Sequence, residues 1–419
     1  MEKKVYDTAV VGAGASGIMA AVTAARLGAD TVLLEHMDQA AKKILATGNG
    51  KCNYTNASQG IEYYYCEEPG FVRTVLERFS YADTIRFFEQ LGIRPVQKNG
   101  TCIYPESEQA SSVKSALLAE VKRLHIPLYV SVGIRRIHKT GARLERELFC
   151  IETKEQTIYS RTCILATGGQ AAKKTGSDGS GYLYARQFGH TVRQPFPALT
   201  ALLADFQKWK LPAGVRIGCA AALDVDGKRA ACETGELQIT EYGISGIVVF
   251  QFSRIAAKAL AEHRQVTVSL DFKPNMPKQA LEHYILERFY SIYHKNKQID
   301  EGMTGFLPDK LIAVIRSRAG INAQVRCGQC SRQQAQRLAA VLKDYRVKIT
   351  GTKGFDHAQA TAGGVCVREI DAARMESKKV PGLYFAGELV DVDAKCGGYH
   401  LQWAWSSGFA AGSAAAGAC

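Results

Sequence analysis

The sequence predicts an α/β fold, a mostly parallel sheet built from both ends of the chain and interrupted by a long insert. Three observations predict it. Short apolar strands alternate with amphipathic helices from residue 5 to about residue 190. A glycine-rich turn joins the first strand to the first helix. After a long stretch of different pattern, an apolar strand and a helix of small residues return at the C-terminal end.

The elements follow in order. Val5 to Val11 (VYDTAVV) reads as a buried strand, and Gly12, Gly14 and Gly17 then form G-x-G-x-x-G. Ile18 to Leu27 continues as an Ala-rich helix. Thr31 to Leu34 is a second apolar strand ending in Glu35, 18 residues after Gly17. This is the arrangement a dinucleotide needs. The first glycine permits the tight turn, the second lets backbone approach a pyrophosphate, and the third lets helix and strand pack closely. The helix start, with Ala13, Ala15 and Ser16 in the turn, supplies amide donors. Glu35 suits a ribose hydroxyl pair.

Phe71 to Leu91 and Ser111 to Leu124 read as amphipathic helices. Strands are expected at 128–132, 135–139, 148–153, 157–160 and 162–166, the last running into Thr167-Gly168-Gly169. Short β segments around 220–225 and 236–240 precede helices at 247–261, 278–293, 308–319 and 331–342. Gly382 to Ala386 is again an apolar strand, ending in Gly387-Glu388, and 401–416 is a helix of small residues. The expected organisation is a dinucleotide domain at 1–195 and 351–419. Between its halves lie a β-rich unit at 196–250 and a helical lobe at 251–350.

Composition narrows the class. The chain has 419 residues, 46% hydrophobic and 22% charged, as in globular proteins. No apolar stretch reaches the roughly 18 residues of a membrane span. The first strand begins at Val5, which leaves no room for a signal peptide, so a cytoplasmic location is expected. The 12 cysteines form no compact framework, and Cys327-x-x-Cys330 lacks two further ligands nearby, so no metal site is expected. Net charge is +13, of which residues 251–350 carry +9 (17 Lys+Arg against 8 Asp+Glu). Such a lobe suits an anionic small substrate or RNA, with Arg316, Arg318 and Arg326 as candidate RNA contacts; a solvated helical surface explains it equally.

Four separated segments read as one cofactor site. They are the fingerprint with Glu35, then Lys42 to Asn53 (with Lys43, Gly50, Lys51, Cys52 and Asn53), then Thr167-Gly168-Gly169, and finally Gly387-Glu388 through Asp391 to Gly397-Gly398. Glycine turns at strand ends let backbone approach a planar ring. A glycine pair at a helix start suits a flavin, because amides there face the electron-rich edge of the reduced ring. The expected cofactor is FAD. No second G-x-G-x-x-G appears, so NAD(P)H is expected as a transient hydride donor or is replaced by another donor.

The segments 48–56 (GNGKCNYTN), 175–182 (TGSDGSGY), 240–246 (TEYGISG), 361–365 (TAGGV) and 397–404 (GGYHLQWA) resemble the BaiN/YhiN-like flavoproteins. The resemblance runs in order from Val10 to Gly408. It implies a Rossmann-type FAD domain from both chain ends with an inserted β-barrel and helical domain. It also implies one of three chemistries: NAD(P)H-driven reduction of conjugated C=C bonds in 3-oxo bile acid intermediates, reduction of a ribosomal RNA uridine to dihydrouridine, or oxidation of aminoacetone. Lys51, Ala394-Lys395 and His400 depart from the commoner family pattern near the expected flavin.

The first two chemistries share a hydride transfer to an unsaturated carbonyl, which needs a donor at the carbonyl oxygen and an acid at carbon. Cys52, His400 and Tyr399 are the candidate catalytic residues. Cys52 is also readable as a packing residue beside the cofactor, and His400 and Tyr399 as structural neighbours of the ring.

Overall fold

The computed structural model describes residues 4–140, 147–205 and 211–417. The chain divides into two compact units, Met1–Phe196 with Gln359–Cys419, and Pro197–Ala358.

In the first unit the strands lie in the order Leu128–Tyr129, Thr31–Leu34, Val5–Val11, Thr157–Leu165, Phe149–Thr153, Ile134–Lys139. The first three pairings are parallel, and the last two strands form an antiparallel meander. Leu383–Phe385 adds a further parallel neighbour to the second half of Thr157–Leu165. The apolar runs expected at 157–160 and 162–166 are therefore one nine-residue strand. Its first half pairs with the meander and its second half with the C-terminal strand. Central strands covered on both faces carry continuous apolar sequence, and Val10, Val11, Ile164 and Leu165 are all buried.

The first helix, Ala15–Arg26, begins three residues earlier than its apolar pattern suggests. The single helix expected over 71–91 is two, Pro69–Arg78 and Tyr81–Gln90. Phe79 is extended and Ser80 restarts the helix with a capping box. The Asp83 N–H donates to its hydroxyl (3.3 Å), and the Asp83 carboxylate accepts its N–H (2.8 Å).

The last helix, Tyr399–Ala416, packs on the first through glycines. A Cβ at Gly412 would stand 2.3 Å from the Ala20 carbonyl oxygen, and one at Gly408 would stand 2.4 Å from that of Ser16. Gly412→Ala therefore forces the helices apart. It is expected to cost about 1–3 kcal/mol, the range of an overpacked core, read from denaturant unfolding.

The second unit is a closed barrel with helices around it. Its strand order is Leu202–Ala204, Gly243–Ser245, Lys228–Ile239, Val215–Val225, Val266–Asp271 and Tyr345–Thr352, the last closing on the first. This corrects the division into a β unit at 196–250 and a helical lobe at 251–350. Two barrel strands lie within or at the end of the expected lobe. Val266, Val268 and Leu270, and likewise Tyr345, Val347 and Ile349, alternate inward with period two. Helices Ile247–Ala261, Lys278–Tyr290, Asp309–Arg318 and Arg332–Lys343 share one core with the barrel. Cys327 and Cys330 are buried there, and burial pushes both thiols up to about 11. Among the described residues, no helix is long and apolar enough to cross a membrane.

Candidate FAD site

The parallel strands of the first unit deliver their carboxyl ends to one edge. Backbone bonds carry the ladder past each strand: Gly12 N–H to Leu34 O (2.7 Å), Ala166 N–H to Val11 O (2.8 Å) and Ala386 N–H to Leu165 O (2.9 Å). Gly12, Glu35, Thr167 and Glu388 thus emerge side by side, beyond the carboxyl ends of the strands, where open α/β sheets bind ligands. They line a cavity of about 390 Å³ lying wholly within the first unit.

The three fingerprint glycines have separate reasons. Gly12 has φ +102°, and a Cβ there would meet the Ala166 carbonyl oxygen at 2.5 Å. A Cβ at Gly17 would lie 1.8 Å from the Gly12 oxygen. At Gly14 it would meet nothing within 4 Å, because that position opens into the cavity. Gly14 caps the helix Ala15–Arg26, whose leading N–H groups have no carbonyl partner one turn back. Ala13, Ala15 and Ser16 complete this part of the wall. Glu35 is buried, with one carboxylate oxygen accepting the Ala13 N–H and the other the Met37 N–H, each at 2.8 Å. Each oxygen keeps a further lone pair for a ribose hydroxyl.

The opposite wall comes from the C-terminal segment. Lys43 Nζ lies 2.6 Å from Glu388 Oε2, while Glu388 Oε1 accepts the Thr361 N–H. His400, on the first turn of the last helix, also lines the cavity. Its Nε2 lies 2.9 Å from Oδ1 of Asp393, a carboxylate only 1% exposed, and that oxygen also accepts the Ala394 N–H (2.8 Å). Thr167 and Gly168 close the floor; the Thr167 hydroxyl itself is buried without a hydrogen-bond partner against Gly181, where a Cβ would stand 1.8 Å from it.

These residues fit FAD. The cradle at Gly14 and the helix start suit a pyrophosphate, and Glu35 suits the adenosine ribose. The first turn of Tyr399–Ala416 supplies a second set of amides to the same cavity.

Other expected site residues lie off the wall. Gly17, Gly169 and Gly387 stand behind it as packing positions; a Cβ would be 2.4 Å from Thr361 Oγ1 at Gly169 and 2.3 Å from Ser16 Oγ at Gly387. Gly50, Lys51, Cys52 and Asn53 are carried away by a run of positive φ at Gly48 (56°), Asn49 (55°), Gly50 (83°) and Cys52 (59°). Lys51 is exposed and paired with Glu108 at 2.7 Å, which raises its pKa. Cys52 is fully buried, and desolvation pushes its thiol up to about 11. Asn53 Oδ1 is buried without a partner against Gly398. Gly397 accepts Asn56 Nδ2 at 2.8 Å, and Asp391 pairs with Arg193 at 3.3 Å.

Tyr399 stacks on Tyr63 with centroids 4.6 Å apart, and burial raises its phenol pKa. Of the three candidate catalytic residues, the structure places His400 alone in the wall. Asp393 was missed, since nothing in a lone aspartate seven residues before a histidine signals a pair. Gly176, Ser177 and Tyr184 also line the cavity.

An open, mostly parallel sheet with this glycine cradle defines a Rossmann-type flavoprotein class. The model described as "HI0933-like protein Rossmann domain" matches residues 6–414, and the chain belongs to that family. Over 409 residues it is 40% identical to the 3-dehydro-bile acid delta(4,6)-reductase of Clostridium scindens (strain ATCC 35704), spanning 97% of this chain and 98% of that one. It is 28% identical over 413 residues to the ribosomal RNA dihydrouridine synthase of Escherichia coli K12, spanning 97% and 96%. Among solved structures, the 3-ketosteroid delta1-dehydrogenase of Sterolibacterium denitrificans matches with a TM-score of 0.52 at 14% identity, over 99% of this chain and all of that one. That similarity is one of fold.

Proposed function

We propose that the protein is an FAD-dependent oxidoreductase acting on CH–CH groups, which reduces a conjugated C=C bond of an anionic 3-oxo-4,6-diene steroid acid, with NAD(P)H as the transient donor. One observation carries this reading. A glycine-cradled cavity bearing a histidine–aspartate pair occurs in a chain 40% identical, end to end, to a bile acid delta(4,6)-reductase.

Gly12 to Ser16, Glu35 and Thr167 would hold the FAD, which when bound supplies the hydride for the C=C bond. The chain's own residues then manage position and protons. Asp393 holds His400 Nε2, so Nδ1 is the ring nitrogen left to exchange a proton with a ligand oxygen. Glu388 neutralises Lys43 and fixes it against the wall. Closing the site against water is left to apolar side chains such as Leu401 and Trp403.

The test is anaerobic. The reduced protein is mixed with a 3-oxo-4,6-diene bile acid. Return of flavin absorbance with matching loss of the dienone is expected. No return, in a reduced protein that still passes electrons to oxygen, overturns the reading. It would favour ribosomal RNA uridine as acceptor, the second reading, which the 28% identical relative and the +9 between residues 251 and 350 support. Against that reading, Arg316 is only 13% exposed and is held by Asp300 (2.6 Å) and the Ile321 carbonyl (2.8 Å), so it is not a free contact for phosphate.

A further inference from the structure

The strands Ile134–Lys139 and Phe149–Thr153 form the antiparallel meander at the edge of the sheet. Ile137, Phe149 and Ile151 are buried in the core. Side chains alternate along a strand, so His138, Cys150 and Glu152 share the other face. His138 stands directly opposite Cys150 in the register, and Glu152 follows two residues on. One ring nitrogen of His138, the Cys150 sulfur and a Glu152 carboxylate oxygen all lie within 4.8 Å of one another.

The spacing is informative. His138 Nδ1 is buried and makes no hydrogen bond. Glu152 Oε1 stands 3.6 Å from it, too far for a hydrogen bond. Two ligand atoms bound to one tetrahedral metal at about 2.1 Å lie roughly 3.4 Å apart, and a sulfur at about 2.3 Å stands slightly farther from its neighbours. The His138–Glu152 separation, which is that of an ion pair, also matches two ligands around a shared ion; the pairs with Cys150 lie within 4.8 Å, so the side chains must draw in to close on one.

We propose that His138, Cys150 and Glu152 form a zinc site that cross-links the two strands. A thiolate, an imidazole and a carboxylate are the donor set of a borderline-soft divalent ion, whereas calcium and magnesium take oxygen ligands. The thiolate and carboxylate together carry two negative charges, which Zn²⁺ cancels. Cys150 is buried, while the His138 and Glu152 side chains are 31% and 41% exposed, so the ion enters from the solvent side and water completes the fourth position. Arg136 stands directly across from Glu152 in the register, while the ion pair that Glu152 makes is with His138. The role is structural. The strand Phe149–Thr153 pairs with Thr157–Leu165, which leads into Thr167 and Gly168 of the cavity floor, and the ion braces this edge.

The test uses the full-length, FAD-loaded, chelator-treated chain under a thiol-free reductant. Titration with Co²⁺ is expected to give one equivalent with a thiolate-to-cobalt charge-transfer band. Zn²⁺ should displace the band and raise the melting temperature. Cys150→Ser and His138→Ala should each lose that band and that equivalent. Glu152→Gln should bind at least about 10–100-fold more weakly, the cost of losing even an outer-shell partner. FAD content and metal-free melting temperature report that each variant is folded, and any one folded variant suffices. Wild-type protein without the band, or a folded Cys150→Ser or His138→Ala protein that keeps it, overturns the proposal. The readout does not depend on which substrate the cavity takes.

Discussion

Gly14→Val is expected to fold and to lose FAD. The Gly14 backbone is extended (φ −81°, ψ −167°), a conformation open to any L-residue. An added Cβ meets no protein atom within 4 Å, because the position faces the cavity. A valine there therefore leaves the packing intact and places branched methyls where backbone must approach the pyrophosphate. The expected loss is at least about 100-fold in FAD affinity, roughly 2.7 kcal/mol, with a melting temperature close to that of the metal-free, flavin-free wild type. Gly17→Ala is the contrasting control. Its Cβ would lie 1.8 Å from the Gly12 carbonyl oxygen, so strand, turn and helix must separate and the protein should be destabilised whether or not FAD is supplied. Tight FAD binding by a folded Gly14→Val protein would remove this turn from the cofactor site.

Asp393→Asn is expected to slow dienone reduction about 100-fold or more, the scale of a lost proton-transfer partner, while FAD binding is unchanged. Asp393 is a positioning residue, acting through His400. A carboxylate is acceptor-only, so Asp393 draws the proton of a neutral imidazole onto Nε2, opposed by the Ala394 N–H, which stands 3.3 Å from the same nitrogen. An asparagine can turn its amide N–H₂ toward Nε2 and reverse the tautomer, leaving shape intact and chemistry impaired. Single-turnover rates at saturating dienone measure the effect, and the loss should fall on kcat rather than KM. His400→Asn should be similarly slow. The double variant should be little slower than either single one, because residues acting as a unit are not additive. Additive losses, or a loss confined to KM, would show that Asp393 serves the fold and not the histidine. If the wild type does not reduce the dienone at all, the proposed function fails first and the pair is untouched by that result.

Where local rules govern, the sequence was legible. The turn from Val11 to Gly17 follows from glycine geometry within seven residues, and Glu35 follows from the next strand. The barrel strands Val266–Asp271 and Tyr345–Thr352 were equally local, with strict alternation, and were passed over because helices surround them in the chain. The segment from Lys42 to Asn53 shows the limit. Lys43 reaches the cavity, but four left-handed residues between Gly48 and Cys52 redirect the backbone, so Cys52 is buried behind the wall with a thiol raised to about 11. Gly48-Asn49-Gly50 marks a turn, since glycine and asparagine both visit the left-handed region, but nothing in a cysteine announces that Cys52 will follow them there.

By itself the sequence determined the dinucleotide cradle, the return of the C-terminal strand to the same sheet, and the expectation of a flavin. The cradle rests on residue types within one strand–turn–helix unit, where backbone sterics and apolar periodicity decide the outcome, and the other two on glycine turns at the ends of apolar strands in separated segments. Only the tertiary structure decided which side chains share a space. His400 meets Asp393 because a buried loop folds back onto the start of the last helix. His138 meets Cys150 and Glu152 because two strands pair in one register and not its neighbour. A slip of one residue would turn His138 to the opposite face. Register and loop path depend on the packing of the whole sheet, and that sum over distant contacts is what no local pattern contains.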